Sequence, residues 1–130
     1  MKFLGIDYGK KRIGLAVSDQ EGRIAFPKEV LENDKEVFTR LADIIKDEDV
    51  LEAVVGESTN FAGAPNVIAK DIEAFNLELT DRFKIPVHKE KEFLTSVEAR
   101  RYGGKEGSTA DASAAALILQ RYLDRINKSI

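Results

Sequence analysis

Residues 3–17 read FLGIDYGKKRIGLAV, and this stretch decides the fold. Its first four residues form a short, continuous apolar run, which is typical of a central strand covered on both faces. The polar segment 8–12 contains Gly9 and indicates a hairpin turn, so residues 13–17 should form a second strand beside the first. Asp7 lies where the first strand ends, at the start of this turn.

The rest of the chain extends this hairpin into a larger sheet. Residues 23–31 predict a third strand, in which Pro27 suits a sheet edge. The apolar period then becomes helical, Asn33 with Glu36 indicates a capped helix start, and further strands are expected at 51–56 and from residue 85. The element order β-β-β-α-β-α-β-α-α predicts an α/β domain. Its mixed five-stranded sheet should have the order 3-2-1-4-5, with strand 2 antiparallel and helices on both faces.

Composition limits the classes of protein that this chain can belong to. With 130 residues, of which 43% are apolar, we expect a single domain spanning residues 1–130. The chain has no Cys and one His, which excludes disulfides, thiol catalysis and His-rich metal sites, so any metal must be held by carboxylates. No apolar run approaches the length of about 20 residues that a membrane helix needs. We therefore expect a cytoplasmic protein with no membrane partner.

Three acidic residues stand at predicted element ends on one edge of the sheet. Asp7 ends the first strand, Glu92 follows the fifth, and Asp111 opens the last helix. Each has an ordinary alternative: Asp7 could shape a turn, Glu92 could lie on an exposed strand edge, and Asp111 could serve only the helix dipole. Together they suit Mg²⁺ or Mn²⁺, which prefer oxygen ligands. Two such ions about 3.5–4 Å apart can promote phosphodiester hydrolysis.

Four blocks of the sequence resemble the YqgF family, which is also called RuvX or Holliday-junction resolvase-like. They are LGIDYGKKRIGLAVSD at 4–19, VVG with Asn60 and Gly63 at 54–63, EFLTSVEA at 92–99, and DASAAA with its following apolar positions at 111–123. The resemblance spans nearly the whole chain. It implies an RNase H-like fold and a metal-dependent nuclease with Asp7, Glu92 and Asp111 as its acidic triad.

The same resemblance implies a nucleic-acid partner. The family is linked to maturation of the 5′ end of 16S rRNA from its precursor, which we favour, and to Holliday-junction resolution. Junction resolution needs paired active sites, and so a symmetric homodimer. Lys10, Lys11 and Arg12, on the hairpin after Asp7, are the candidate phosphate contacts. Asn60 matches a loop Asn of the family and could either bind substrate or form a turn.

Departures from the family pattern leave two further questions open. The family usually has Asp-Glu-Arg where this chain has Lys91-Glu92-Phe93, and an apolar residue with Pro where this chain has Glu57-Ser58-Thr59. Glu57 is therefore either an additional metal ligand or an exposed loop acid. The altered surroundings of Glu92 also fit a non-catalytic nucleic-acid or ribosome-associated module.

Two other interpretations carry less weight. Sugar kinases and actin-like ATPases also open on Gly-x-Asp-x-Gly, but they need a second domain and further glycine-rich motifs, for which this chain has no room. For His88 we expect a partly exposed strand position and no catalytic role.

Overall fold

A computed structural model of the protein describes residues 2–57, 69–91 and 112–128. Within these ranges the chain forms a sheet of five strands with three helices. The strands are β1 (Lys2–Tyr8), β2 (Arg12–Ser18), β3 (Ala25–Glu32), β4 (Val50–Glu57) and β5 (Val87–Lys91). The helices are α1 (Val37–Asp47), α2 (Ala69–Phe83) and α3 (Ala112–Asn127).

The sheet has the order β3-β2-β1-β4-β5. Strand β2 runs antiparallel to both β1 and β3, whereas β4 is parallel to β1 and β5 is parallel to β4. The predicted strand order and the antiparallel direction of strand 2 are therefore confirmed. Parallel neighbours need long crossover connections, and α1 and α2 lie in the crossovers that lead to β4 and β5.

Helices cover both faces of the sheet, as the sequence predicts. On one face, α1 and α2 bury Leu41 and Phe75 against a layer that includes Leu4 and Ile6 of β1. On the other face, α3 packs its apolar residues against Phe3, Ala16 and Val54. Strand β1 contributes to both layers because successive side chains point to opposite faces, which explains why its sequence is a continuous apolar run.

Two local predictions are wrong. Asn33 and Glu36 do not form a capping pair, because α1 begins at Val37 without a side-chain cap and the Glu36 amide donates to Asp34 Oδ1 at 2.9 Å. The spacing of Leu119, Tyr122, Leu123 and Ile126 predicts one apolar face for the last helix, but Ile126 is 39% exposed. The sequence also predicts a short helix at Thr95, which fits a capping box with Glu98, and this segment lies outside the described residues.

Helix α3 approaches the sheet closely at Gly5. A Cβ atom placed on Gly5 would lie 2.7 Å from Leu119 Cβ and 2.9 Å from the Ala115 carbonyl oxygen. Both distances are too short for real carbon contacts, so α3 can take this position only because β1 has no side chain here. The glycine thereby sets the distance between α3 and the centre of the sheet.

We predict that Gly5→Ala destabilises the protein by about 1–3 kcal/mol, the usual cost of forcing an extra methyl group into a packed core. Equilibrium urea unfolding followed by circular dichroism would measure the change. Ser113→Ala, at an exposed position of the same helix, is the control and should be close to neutral. Equal unfolding midpoints for Gly5→Ala and the parent would contradict the proposed packing constraint.

Candidate functional site

Asp7 lies in the central strand, one residue before its end, and it is partly exposed. It belongs to the α3 face of the sheet, two positions beyond Gly5, and it pairs with Gly14 of β2. The parallel pairing of Ile6 with Val55 brings Gly56 beside Asp7 at the next position. Because glycine has no side chain, neither neighbouring strand places a side chain beside the Asp7 carboxylate.

Two other elements reach the same edge of the sheet. Strand β5 is parallel to β4, so its last residue, Lys91, lies at the edge where β1 and β4 end, paired with Glu57. Helix α3 runs antiparallel to β1. Ala115, near the start of the helix, lies over Gly5, whereas the later Tyr122 lies beside Phe3, which precedes Gly5 in the strand; the centroids of these two rings are 6.0 Å apart. The helix therefore begins at the edge that carries Asp7.

The structure places one member of the predicted acidic triad. Glu92, Asp111 and Asn60 lie outside the described residues, and Glu57 is placed only as the last residue of β4. Among residues 2–57, 69–91 and 112–128, no group of three or more His, Cys, Asp or Glu side chains could hold a metal ion. Of the proposed ligands, the structure describes the Asp7 carboxylate, an oxygen donor of the type that Mg²⁺ and Mn²⁺ prefer.

The hairpin after Asp7 presents the three basic residues to solvent. The Lys10 and Arg12 side chains are 65% and 50% exposed, and Lys11 is exposed as well. Lys10 Nζ lies 4.0 Å from Asp71 Oδ2, and Arg12 Nε lies 3.5 Å from Glu32 Oε2. Exposed ion pairs of this kind stabilise a protein little, so a phosphate could replace either acid at low cost.

Asn33 fastens this hairpin to the body of the protein. Its Nδ2 donates to the Gly9 carbonyl at 2.8 Å, and its backbone amide donates to the Lys11 carbonyl at 2.9 Å. Sequence reasoning missed this role because Asn33 also fitted a helix cap. The spacing between Asn33 and Gly9 gives no local signal that the two meet.

A cluster of side chains joins α3 to β4 and β5 on the Asp7 face. His88 Nε2 lies 2.6 Å from Glu52 Oε1, and its ring stacks on Tyr122 with the ring centroids 5.0 Å apart. Burial, followed by the nearby Glu52 charge, raises the pKa of the Tyr122 hydroxyl above its usual value. These contacts give His88 a structural role, and its lack of a catalytic role stays a prediction.

Glu90 is an acid that sequence reasoning did not single out. It is 6% exposed, it pairs with Gly56 in the sheet, and its Oε1 lies 2.5 Å from Arg125 Nη1. Glu90 therefore shares a face with Asp7 at a distance of two strand spacings, roughly 10 Å. The sequence carried one signal for this position: residues two apart in a strand share a face, so Glu90 lies on the same face as His88, opposite to Lys89 and Lys91.

A five-stranded sheet of this order and these strand directions, with helices on both faces, has the RNase H-like fold. The chain resembles RuvC from Thermus thermophilus with a TM-score of 0.63 and 19% identity, covering 98% of this chain and 97% of that one. RuvC from the same organism in complex with a Holliday junction substrate gives a TM-score of 0.61 at 19% identity, covering 98% and 96%. These similarities confirm the predicted fold.

The chain belongs to the RuvX family, described as Holliday junction resolvase, whose model matches residues 1–125. A relative from Streptococcus agalactiae, named "Putative pre-16S rRNA nuclease", is 36% identical over 140 residues, covering 97% of this chain and 99% of its own length. A relative of the same name from Maridesulfovibrio salexigens is 34% identical over 134 residues, covering 96% and 99%. The family resemblance seen in the sequence is confirmed.

None of the helices in the described ranges combines the length and the apolar character that crossing a membrane requires.

We predict that Asn33→Ala loosens the basic hairpin. The substitution removes the donor to the Gly9 carbonyl, and one such hydrogen bond contributes about 1 kcal/mol. Hydrogen–deuterium exchange should show faster exchange in a peptide covering residues 8–13, with little change in α3. Unchanged exchange in that peptide would mean that Asn33 does not hold the hairpin.

Proposed function

We propose that this protein is a divalent-metal-dependent phosphodiester hydrolase that acts on structured RNA, with the 5′ end of precursor 16S rRNA as its substrate. The observation that carries the proposal is the position of Asp7. Its partly exposed carboxylate stands near the end of the central strand of an RNase H-like sheet, between two glycines of the neighbouring strands and next to a basic hairpin. The names of the relatives support the choice of substrate.

Asp7, Glu92 and Asp111 are the proposed ligands of Mg²⁺ or Mn²⁺. Glu92 directly follows the last residue of β5 and Asp111 directly precedes the first residue of α3, and both elements reach the edge that holds Asp7. When bound, such ions supply positive charge to the phosphate and lower the pKa of water, and a pair of them can stabilise both the attacking and the leaving oxygen. A two-ion arrangement is part of the proposal.

The described residues contribute binding and orientation. Gly14 and Gly56 flank Asp7 without side chains, so neither neighbouring strand would place a side chain between a phosphodiester and the Asp7 carboxylate. Lys10, Lys11 and Arg12 bind phosphates that flank the cleaved one, and this contact fixes the position of the strand without selecting its sequence. Asn60 is proposed as a further substrate contact.

Cleavage of a four-way DNA junction is the second candidate function, because the matching family model is described as Holliday junction resolvase. Two symmetric cuts need two active sites that face one junction, so this function requires a homodimer in solution. The two candidates share their chemistry and differ in substrate and assembly. Cleavage of precursor 16S rRNA, single-stranded RNA and a four-way junction, compared under one set of conditions with Mn²⁺, separates them.

We predict that Asp7→Asn reduces cleavage of the preferred substrate to the level of a blank without metal, because an amide cannot supply the negative charge that binds the cation. Circular dichroism should show a folded variant, since the residue is partly exposed and the substitution keeps its shape. Asp43→Asn, at an exposed position of α1, is the matched control and should retain full activity. A purified Asp7→Asn variant as active as the parent would refute the proposed site.

We predict that changing Lys10, Lys11 and Arg12 one at a time to Gln weakens binding of RNA and DNA to a similar extent. Each lost phosphate contact should reduce the slope of log K against log salt by about 0.7–0.9. Lys46→Gln, in the last turn of α1, removes one charge at an exposed position and is the control. Salt slopes that match the control would show that the hairpin does not bind phosphate.

A further inference from the structure

An open groove of about 440 Å³ lies between the end of β1, residues 33–35, α1 and α2. Tyr8 contributes to it from β1, so the groove is on the face of the sheet opposite Asp7. Its volume falls in the range of sites that hold one small organic group. The groove is outside the proposed metal site, and neither the acidic triad nor the basic hairpin explains it.

Aromatic side chains form the floor of the groove. The Phe75 ring lies 5.0 Å from that of Tyr8 and 5.3 Å from that of Phe38, measured between centroids. Phe75 is buried, whereas Tyr8 and Phe38 are only partly buried. The two outer rings therefore leave apolar surface at the bottom of an open groove.

Arg82 adds a flat cationic surface above this floor. The centre of its guanidinium lies 4.9 Å from the centroid of the Phe38 ring, and its Nε lies 2.7 Å from Glu78 Oε2. The side chain is 53% exposed even though these two contacts hold it in place. A guanidinium plane held in this way is a platform on which a nucleobase can stack.

The charges at the rim of the groove favour a nucleobase over a phosphate as its ligand. The groove is lined by three carboxylates, from Asp34, Asp71 and Glu78, and by two cations, from Lys35 and Arg82. The hydrogen bond from Arg40, followed by that from the Glu36 amide, holds the pKa of Asp34 below its usual value, so this carboxylate stays ionised. A rim with this excess of negative charge repels phosphate. The carboxylate oxygens of the rim can accept hydrogen bonds from the amino and imino groups of bases.

The groove is continuous with the basic hairpin. Tyr8 directly follows Asp7, the Lys10 ammonium lies 4.0 Å from Asp71 Oδ2, and Asn33 lines the groove while it holds the Gly9 carbonyl. A nucleic-acid strand whose phosphates lie along the hairpin can pass over this end of the sheet, with one phosphate on the face that carries Asp7. The base of a neighbouring nucleotide then reaches the groove on the opposite side.

We propose that this groove binds one unpaired nucleobase of the substrate strand, which stacks on the Arg82–Phe38 pair and donates hydrogen bonds to the carboxylate rim. The inference rests on the proposed function for the identity of the polymer, and it adds a base subsite to a phosphate-binding surface. It also favours substrates with an unpaired nucleotide beside the cleaved bond, because a base in a continuous duplex cannot leave its stack cheaply.

The first test measures binding of a fluorescein-labelled, mixed-sequence RNA of eight nucleotides by anisotropy, in EDTA to prevent cleavage. Arg82→Ala should weaken binding roughly fivefold or more, the range expected when a stacking partner of one base is lost. Arg82→Lys keeps the charge but not the plane, and should be as weak as Arg82→Ala. Arg23→Ala, at an exposed position in the turn before β3, should bind within about twofold of the parent, since only long-range attraction is lost.

The second test uses RNAs in which an abasic nucleotide replaces one position at a time. At one position, the abasic nucleotide should weaken binding to the parent protein by about the same factor as Arg82→Ala weakens binding of the intact RNA. The Arg82→Ala variant should bind that abasic RNA no more weakly than the parent does. Recovery of binding in Arg82→Lys, or an equal effect of Arg82→Ala on every abasic RNA, would show that Arg82 contacts phosphate and would overturn the proposal. So would unchanged binding in Arg82→Ala, which would leave the groove to a protein partner.

These results are independent of the test of the metal site. Full cleavage by Asp7→Asn would refute the proposed hydrolase, whatever the groove binds. Loss of cleavage in Asp7→Asn together with unaltered RNA binding in Arg82→Ala would refute the base subsite alone.

Discussion

Helix α3 lies directly against the backbone of β1 at Gly5, and the geometry of the site depends on this contact. The Leu119 and Ala115 positions leave no room for a Cβ atom on the strand, so the helix can be this close only above a glycine. With its distance set there, α3 runs antiparallel to β1 and begins at the edge that carries Asp7. A side chain at position 5 would push the helix outward and shift its first turn relative to that carboxylate.

The two faces of the sheet carry different groups at this edge: a carboxylate on one face and aromatic rings on the other. On the α3 face, Gly14 and Gly56 flank Asp7, so neither neighbouring strand places a side chain beside its carboxylate. On the opposite face, Tyr8 continues the aromatic layer of the core and forms part of a groove. The hairpin connects the two faces, and Asn33 fixes it to the groove side. One nucleic-acid strand could therefore place a phosphate on one face and a base on the other.

Sequence reasoning succeeded where the signal is local and repeated. The continuous apolar run of β1 identifies a strand covered on both faces, and a meander followed by two crossovers leaves few strand orders, among them the observed one. It failed at Asn33, where a capping pattern competed with a tertiary contact. An Asn side chain can bond to several nearby or distant backbone groups with similar energy, so spacing alone does not choose between them.

By itself, the sequence determined the class of fold, the central place of β1 and the position of Asp7 near the end of that strand, because strand periodicity and turn residues act over a few neighbouring positions. Only the tertiary structure decided that Asn33 holds the hairpin, that Glu90 is buried against Arg125, and that aromatic rings from β1, α1 and α2 form one groove. Periodicity reports which face of an element is buried. The partner of that face depends on how distant elements pack, and no local pattern of residues encodes it.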